Sequence, residues 1–301
     1  MKINNALNDN GGRHDEKERE TMNKIDKPNI GRREVLKGAG ITVAGAAAAA
    51  VGAEIAEAAA TAPRWAMVMD LRRCIGCRAC TVSCKSENDV SLGRFRTVVQ
   101  EKTYGEFPKV KKGFLPIMCN HCEGNKEDGV PPCVKICPEF PGERLTFVTP
   151  DGGKIRYRGG ATYKRPDGLV LIDSDLCIGC GKCIDACPYG VRSFNPFVQA
   201  GKKPEKQAAD KCDMCKERVA NGIDPSCVNT CQGRARIFGD LNDPNSQVAM
   251  LVKEHNLAKN VLLPKEGTDP HVFYIDPDNV LETLYKPREK GKLDHFVDLI
   301  P

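Results

Sequence analysis

The residues most able to do chemistry are sixteen cysteines, and they fall into four sets of four with none left over. Cys74, Cys77, Cys80 and Cys84 are separated by two, two and three residues, and Cys177, Cys180, Cys183 and Cys187 repeat that ladder. Two looser sets hold the rest: Cys119, Cys122, Cys133 and Cys137, and Cys212, Cys215, Cys227 and Cys231. A [4Fe–4S] cube needs one thiolate at each of its four iron corners. A loop with two residues between cysteines delivers successive thiolates to neighbouring corners, and the fourth cysteine of such a run ligates the other cube of a pair. Cys137 and Cys187 are each followed by proline, as in bacterial ferredoxin runs. Gly76 and Gly179 lie inside the first loops, where the absence of a side chain lets backbone N–H groups approach a sulfide core. Four cubes bound by all sixteen cysteines is the expected cofactor content, with no catalytic residue.

Two other chemistries use the same residue type. Structural zinc also takes four cysteines, but as two separated pairs; three thiolates within seven residues, as from Cys74 to Cys80, suit a cube better. Disulfides would fit an exported chain and an even count, yet four repeated quartets make a poor staple framework. His121, between Cys119 and Cys122, reads as a hydrogen-bond donor near a cluster or a contact to a partner, because four thiolates already fill the corners.

The elements that must position these cysteines are short. Trp65–Asp70 reads as a strand leading into the first ladder, and 78–86 as the helix carrying Cys84. Phe95–Gln100 is a further strand and 105–113 a basic loop. Leu145–Val148 with Lys154–Tyr157, and 162–164 with Leu169–Ile172, flank Pro-Asp-Gly turns and read as hairpins. Residues 194–209 read as a connector, 218–224 as a loop, 235–240 as a closing strand and 244–258 as a helix. The last forty residues, rich in proline, are expected to wrap on the body or on a partner.

Composition narrows the rest. Of 301 residues, only 6% are aromatic, so clusters must fill much of the interior and folding must depend on them. The formal charge of +5 counts cysteines as neutral; each oxidised cube with its thiolates brings about −2. Arg72, Arg73, Arg78, Lys182, Lys211 and Lys216 are then expected to offset cluster charge. No nucleic-acid reader motif accompanies the basic residues. Gly31-Arg32-Arg33-Glu34-Val35-Leu36-Lys37 has the form of a twin-arginine export signal, followed by a weakly apolar stretch too poor in large residues to span a membrane. That route carries folded cargo, which suits clusters inserted in a reducing cytoplasm. Small-residue cleavage options follow at 58–62. Residues 1–62 remove nine basic and nine acidic groups together. No later stretch is long and apolar enough to span a bilayer, so the mature chain is expected to be periplasmic, soluble or held to the membrane by a partner.

How the four sets pair is open on spacing alone: tandem and nested schemes both satisfy the gaps, and the two prolines lean toward nesting. The stretches 69–77, Cys119-Asn120-His121-Cys122, Pro131-Pro132-Cys133-Val134, Ala186-Cys187-Pro188-Tyr189, Ala209-Asp210-Lys211-Cys212, Ala235-Arg236-Ile237 and Pro270-His271-Val272-Phe273-Tyr274 resemble the four-cluster electron-transfer subunits of molybdopterin oxidoreductases. Within them the leader and the Pro270–Tyr274 stretch are most similar to the tetrathionate reductase branch. The resemblance covers about residues 63–275. It implies an α+β fold of two nested ferredoxin-like lobes, 63–115 plus 205–240 and 116–204, with a hairpin insertion at 139–173 and a helix and extended tail at 241–301. It implies four ligand sets: Cys74, Cys77, Cys80 and Cys231; Cys84, Cys212, Cys215 and Cys227; Cys119, Cys122, Cys133 and Cys187; Cys137, Cys177, Cys180 and Cys183. It also implies two partners, a molybdopterin catalytic subunit and a quinone-reactive membrane subunit. Residues 139–160 are longer than in the relatives, which leaves arsenic-, thiosulfate- or polysulfide-handling complexes, or a periplasmic hydrogenase, as alternative settings. A zinc-bound structural protein is the alternative from another class, which metal content separates.

Overall fold

Trp65–Asp70 is an almost unbroken apolar run, and a strand buried on both faces needs one. In a computed structural model that describes residues 62–285, this run is strand β1 (Trp65–Asp70), the middle of a three-stranded sheet. The twin arginines and the residues after Tyr285 lie outside the described part. In chain order there follow α1 (Ala79–Glu87), β2 (Thr97–Tyr104), β3 (Lys111–Met118), α2 (Pro132–Lys135), β4 (Arg144–Val148) and β5 (Lys154–Arg158). Next come β6 (Thr162–Lys164), β7 (Val170–Ile172), α3 (Lys182–Asp185), β8 (Ser193–Ala200), β9 (Lys203–Asp210), α4 (Lys216–Ala220) and α5 (Ser226–Asn229). The described part closes with β10 (Arg236–Asp240), α6 (Gln247–Glu254), β11 (Val272–Ile275) and α7 (Val280–Leu284).

β1 runs antiparallel to β10, with Met69 opposite Arg236, and parallel to β11, with Met67 opposite Val272. Alternate side chains leave opposite faces of the sheet. Met67, Met69, Val272 and Tyr274 enter a core with Leu115, Ile117, Leu169 and Met214 that also includes cysteines. Ala66, Val68, Phe273 and Ile275 enter a second core closed by Val248 of α6 and Leu257. Ser246 caps α6 by accepting a hydrogen bond from the Ala249 N–H at 3.1 Å. The other pairs are separate ribbons: β2–β3, β4–β5, β6–β7 and β8–β9. Among the described residues no helix is long and apolar enough to cross a membrane.

Four segments depart from the sequence reading. The basic loop of 105–113 gives way at Lys111 to β3, which pairs with β2 over eight residues. The connector of 194–209 is the hairpin β8–β9; Pro196 sits where the ladder is interrupted, between Phe194 and Gln199, and a two-stranded ribbon tolerates a missing N–H on its open edge. The loop of 218–224 begins inside α4 (Lys216–Ala220), so its first three residues are helical. Val272–Ile275 does not wrap the body but joins the central sheet, because four consecutive apolar residues bury against β1.

Candidate metal centres

The helices that present cysteines are one or two turns long. α1 carries Cys80 and Cys84, α2 Cys133, α3 Cys183 and α5 Cys227. α2 and α5 begin next to Pro131-Pro132 and Pro225, where a missing N–H costs nothing at a helix start.

All sixteen cysteines are free thiols. Cys84, Cys212, Cys215 and Cys227 line one pocket, walled by Met67, Met118 and Met214. Cys137, Cys177, Cys180 and Cys183 line another. In the remaining eight, Cys122 faces Cys119, Cys133 and Cys187, and Cys74 faces Cys80 and Cys231. Cys77 is exposed on the loop between Cys74 and Cys80. Each gathering therefore draws a thiol from a distant stretch of chain.

The gatherings also stand in series. Cys227 faces Cys80, linking the first gathering to that of Cys84. Cys212 faces Cys119, linking it to the gathering of Cys122. Arg192 lies within electrostatic reach of Cys133, Cys183, Cys119 and Cys187, linking the last two gatherings. The exposed cysteines, Cys77 and Cys180, belong to the two ends of this series.

The donor chemistry suits clusters. Sulfurs around a single zinc ion must all lie about 2.3 Å from one point; among the described residues no three His, Cys, Asp or Glu side chains converge in that way. In two of the quartets all four cysteines line a shared pocket instead. Backbone N–H groups point at sulfur from Gly179 to Cys177 (3.4 Å), Met214 to Cys212 (3.4 Å) and Ala235 to Cys231 (3.2 Å). Asn88 Nδ2 donates to Cys84 Sγ at 3.7 Å and is itself held by Arg96, which donates to Asn88 Oδ1 at 2.8 Å. Burial pushes the Cys84 thiol up to about 12 and the Cys133 thiol up to about 11. Such thiols give up their protons only when iron supplies the compensating charge, which couples folding to cluster insertion.

Of the basic residues expected to offset cluster charge, Lys211 is the one that is buried; it donates to the Val170 carbonyl and, at 2.6 Å, to the Cys212 carbonyl. Arg72 is held by Asp70 at 2.8 Å instead. His121 is fully buried, and its Nδ1 accepts from the Val170 N–H at 3.0 Å. Burial and then Lys211 hold it well below its usual range, so it is neutral. The sequence reading missed two buried cations that touch cysteine sulfur, Arg192 and Arg236. Arg192 Nη2 donates to Cys133 Sγ at 3.1 Å and Arg236 Nη1 to Cys227 Sγ at 3.6 Å.

Known proteins share these features. A 4Fe–4S dicluster domain family matches residues 110–241, and a 4Fe–4S binding domain family matches 65–86. A tetrathionate reductase subunit of Salmonella typhimurium is 40% identical over 233 residues, covering 76% of this chain and 79% of its own. A selenate reductase subunit of Mesobacillus selenatarsenatis is 39% identical over 237 residues, 70% of this chain and 72% of its own. The arsenate respiratory reductase iron–sulfur subunit of a Shewanella species is 34% identical over 252 residues, 70% of this chain and 96% of its own.

Proposed function

Since the chain belongs to the iron–sulfur electron-transfer subunits of molybdopterin oxidoreductases, we propose that it is a wire of four [4Fe–4S] clusters. The clusters would be held, in order along the wire, by Cys74, Cys77, Cys80 and Cys231; by Cys84, Cys212, Cys215 and Cys227; by Cys119, Cys122, Cys133 and Cys187; and by Cys137, Cys177, Cys180 and Cys183. The observation that carries this is the serial arrangement of cysteine gatherings with an exposed cysteine at each end. When bound, the clusters supply one-electron carriers. The chain's own residues exclude water with Met67, Met118 and Met214, aim N–H groups at sulfur and hold the thiolates in place. Nothing in this role breaks a bond of a substrate.

In this reading the lobes are nested, 63–115 with 205–240 around 116–204. One end of the wire meets a molybdopterin catalytic subunit and the other a quinone-reactive membrane subunit, after export of the folded chain through the signal at Arg32 and Arg33. Tetrathionate is the favoured terminal substrate of the complex, from the likeness to the Salmonella tetrathionate reductase subunit; selenate and arsenate complexes are the rivals.

The test is iron and acid-labile sulfide on anaerobically purified protein, with EPR after dithionite reduction. About sixteen of each per chain with magnetically coupled cubane signals is the expected result. Zinc in place of iron, or substrate turnover by this chain without a catalytic partner, would overturn it.

A further inference from the structure

The two arginines that touch cysteine sulfur occupy equivalent places. Arg192 is the fifth residue after Cys187, and Arg236 the fifth after Cys231. Arg236 opens β10, and Arg192 immediately precedes β8. Each is nearly inaccessible, 2% and 3% exposed. Each donates to the third cysteine of a looser set, Cys133 or Cys227. Each is also within electrostatic reach of the neighbouring gathering: Arg192 of Cys183, and Arg236 of Cys80 and Cys231.

A buried guanidinium is costly unless anions surround it, and it cannot shed its proton. The negative groups that face Arg192 most strongly are four cysteines, with no carboxylate among them. Its Nη1 is buried without an acceptor among the described residues. Arg236 is anchored by Nη2 to Thr97 Oγ1 at 2.8 Å, and its Nη1 also meets Met118 Sδ at 3.4 Å. Apart from the thiol it is held by neutral groups. A fold that keeps two such cations has negative charge to set against them, and the thiolate-bound clusters are where that charge lies.

We propose that Arg192 and Arg236 are charge bridges, one in each lobe, each fixed by an N–H···S bond to one cluster and facing the next. The inference rests on the reading of four clusters in these gatherings. Each guanidinium stabilises an added electron on either neighbour, so it raises both potentials and keeps the step between them nearly level. In that step one cluster loses one electron and its neighbour gains it. The guanidinium stays charged throughout and no proton moves. These are positioning residues, acting through the clusters rather than on a substrate.

The experiment uses the full chain in its complex, as wild type and as R192Q, R236Q and R192K. The readouts are iron and sulfide content and a potentiometric EPR titration of all four clusters. R192Q is expected to keep its iron while two clusters become harder to reduce by about tenfold or more, which is about 59 mV for one electron. The other two should stay within about threefold. R236Q should shift the complementary pair, and R192K, which keeps the charge, should stay within about threefold of wild type. Full iron with all four potentials in place in both glutamine variants overturns the inference, as does the same pair moving in both. If R192Q loses iron, R192K decides. Full iron and near-native potentials support a charge bridge; a tenfold drop, or loss of iron there too, means that the guanidinium's shape is what the site uses, and overturns it. A wild-type chain without cubane iron would instead remove the reading beneath, before either arginine is at issue.

Discussion

Gly179, between Cys177 and Cys180, offers a quantitative test of how the ribbon β8–β9 presses on a cysteine loop. Its φ of +61° lies in the left-handed region, and a Cβ there would stand 2.6 Å from Lys206 Cβ and 2.8 Å from the Gln207 carbonyl oxygen of β9. The second atom is backbone and cannot swing aside. A side chain in this conformation costs about 1–2 kcal/mol, and forcing a methyl group into a packed contact adds about 1–3 kcal/mol. Gly179→Ala is therefore expected to lose about 2–5 kcal/mol as the sum of the two effects. Gly222→Ala supplies the comparison: its φ is +69°, with nothing within 4 Å of the added carbon, so only the conformational cost of about 1–2 kcal/mol applies. The assay is anaerobic guanidinium unfolding of the cluster-loaded chain, followed by visible cluster absorbance and analysed at a common slope. Gly179→Ala should unfold more easily than Gly222→Ala by the packing cost alone. Equal losses would refute the claim that β9 closes down on the Cys177–Cys180 loop.

Other consequences follow from single contacts. Arg96 holds Asp210 at 2.8 Å, Asp213 at 3.3 Å and Asn88 at 2.8 Å in a largely buried network; Arg96→Met should cost about 3–5 kcal/mol because it strands two carboxylates. Adding Asp210→Asn should recover part of that in the same unfolding assay, and strict additivity of the two losses would count against the network. Tyr274, wholly buried in β11, donates to the Pro116 carbonyl at 3.0 Å; Tyr274→Phe should lose about 1–3 kcal/mol without moving any cluster potential in an EPR titration. Cys180→Ser should leave about twelve iron per chain, or a three-iron EPR signal, with the other clusters present; an unchanged sixteen would remove Cys180 from its proposed cluster. Replacing Arg32 and Arg33 together by lysine should keep the chain in the cytoplasmic fraction on immunoblots, and undiminished export would refute the leader assignment.

What the sequence made legible depended on distance along the chain. Cys74, Cys77 and Cys80 announce a shared metal because they are near neighbours in one loop. Cys231, whose charge acts on Cys74, lies in the last set, and no gap length distinguishes it from Cys137 as the fourth thiol of that gathering. Strand β1 was readable because both its faces are apolar, but β11 hides in a proline-rich tail: its partner is about two hundred residues away, and only the run Val272–Ile275 hints at it. The β8–β9 hairpin was obscured by Pro196 and Pro204, which local rules read as strand breakers although an open ribbon edge accommodates them. Charge misled in a more instructive way. The basic residues adjacent to the ladders drew attention, yet Arg72 serves Asp70, Arg78 serves Glu101 at 3.8 Å, and both side chains remain substantially exposed. The cations that reach cysteine sulfur stand five residues downstream of Cys187 and Cys231, just before β8 and at the start of β10. Arg78 and Lys182, inside the strict ladders, keep their side chains at least partly in solvent, whereas Arg192 and Arg236, just outside the ligand loops, reach cysteine sulfur. Repeated spacing from the ligands, rather than nearness to them, was therefore the informative signal.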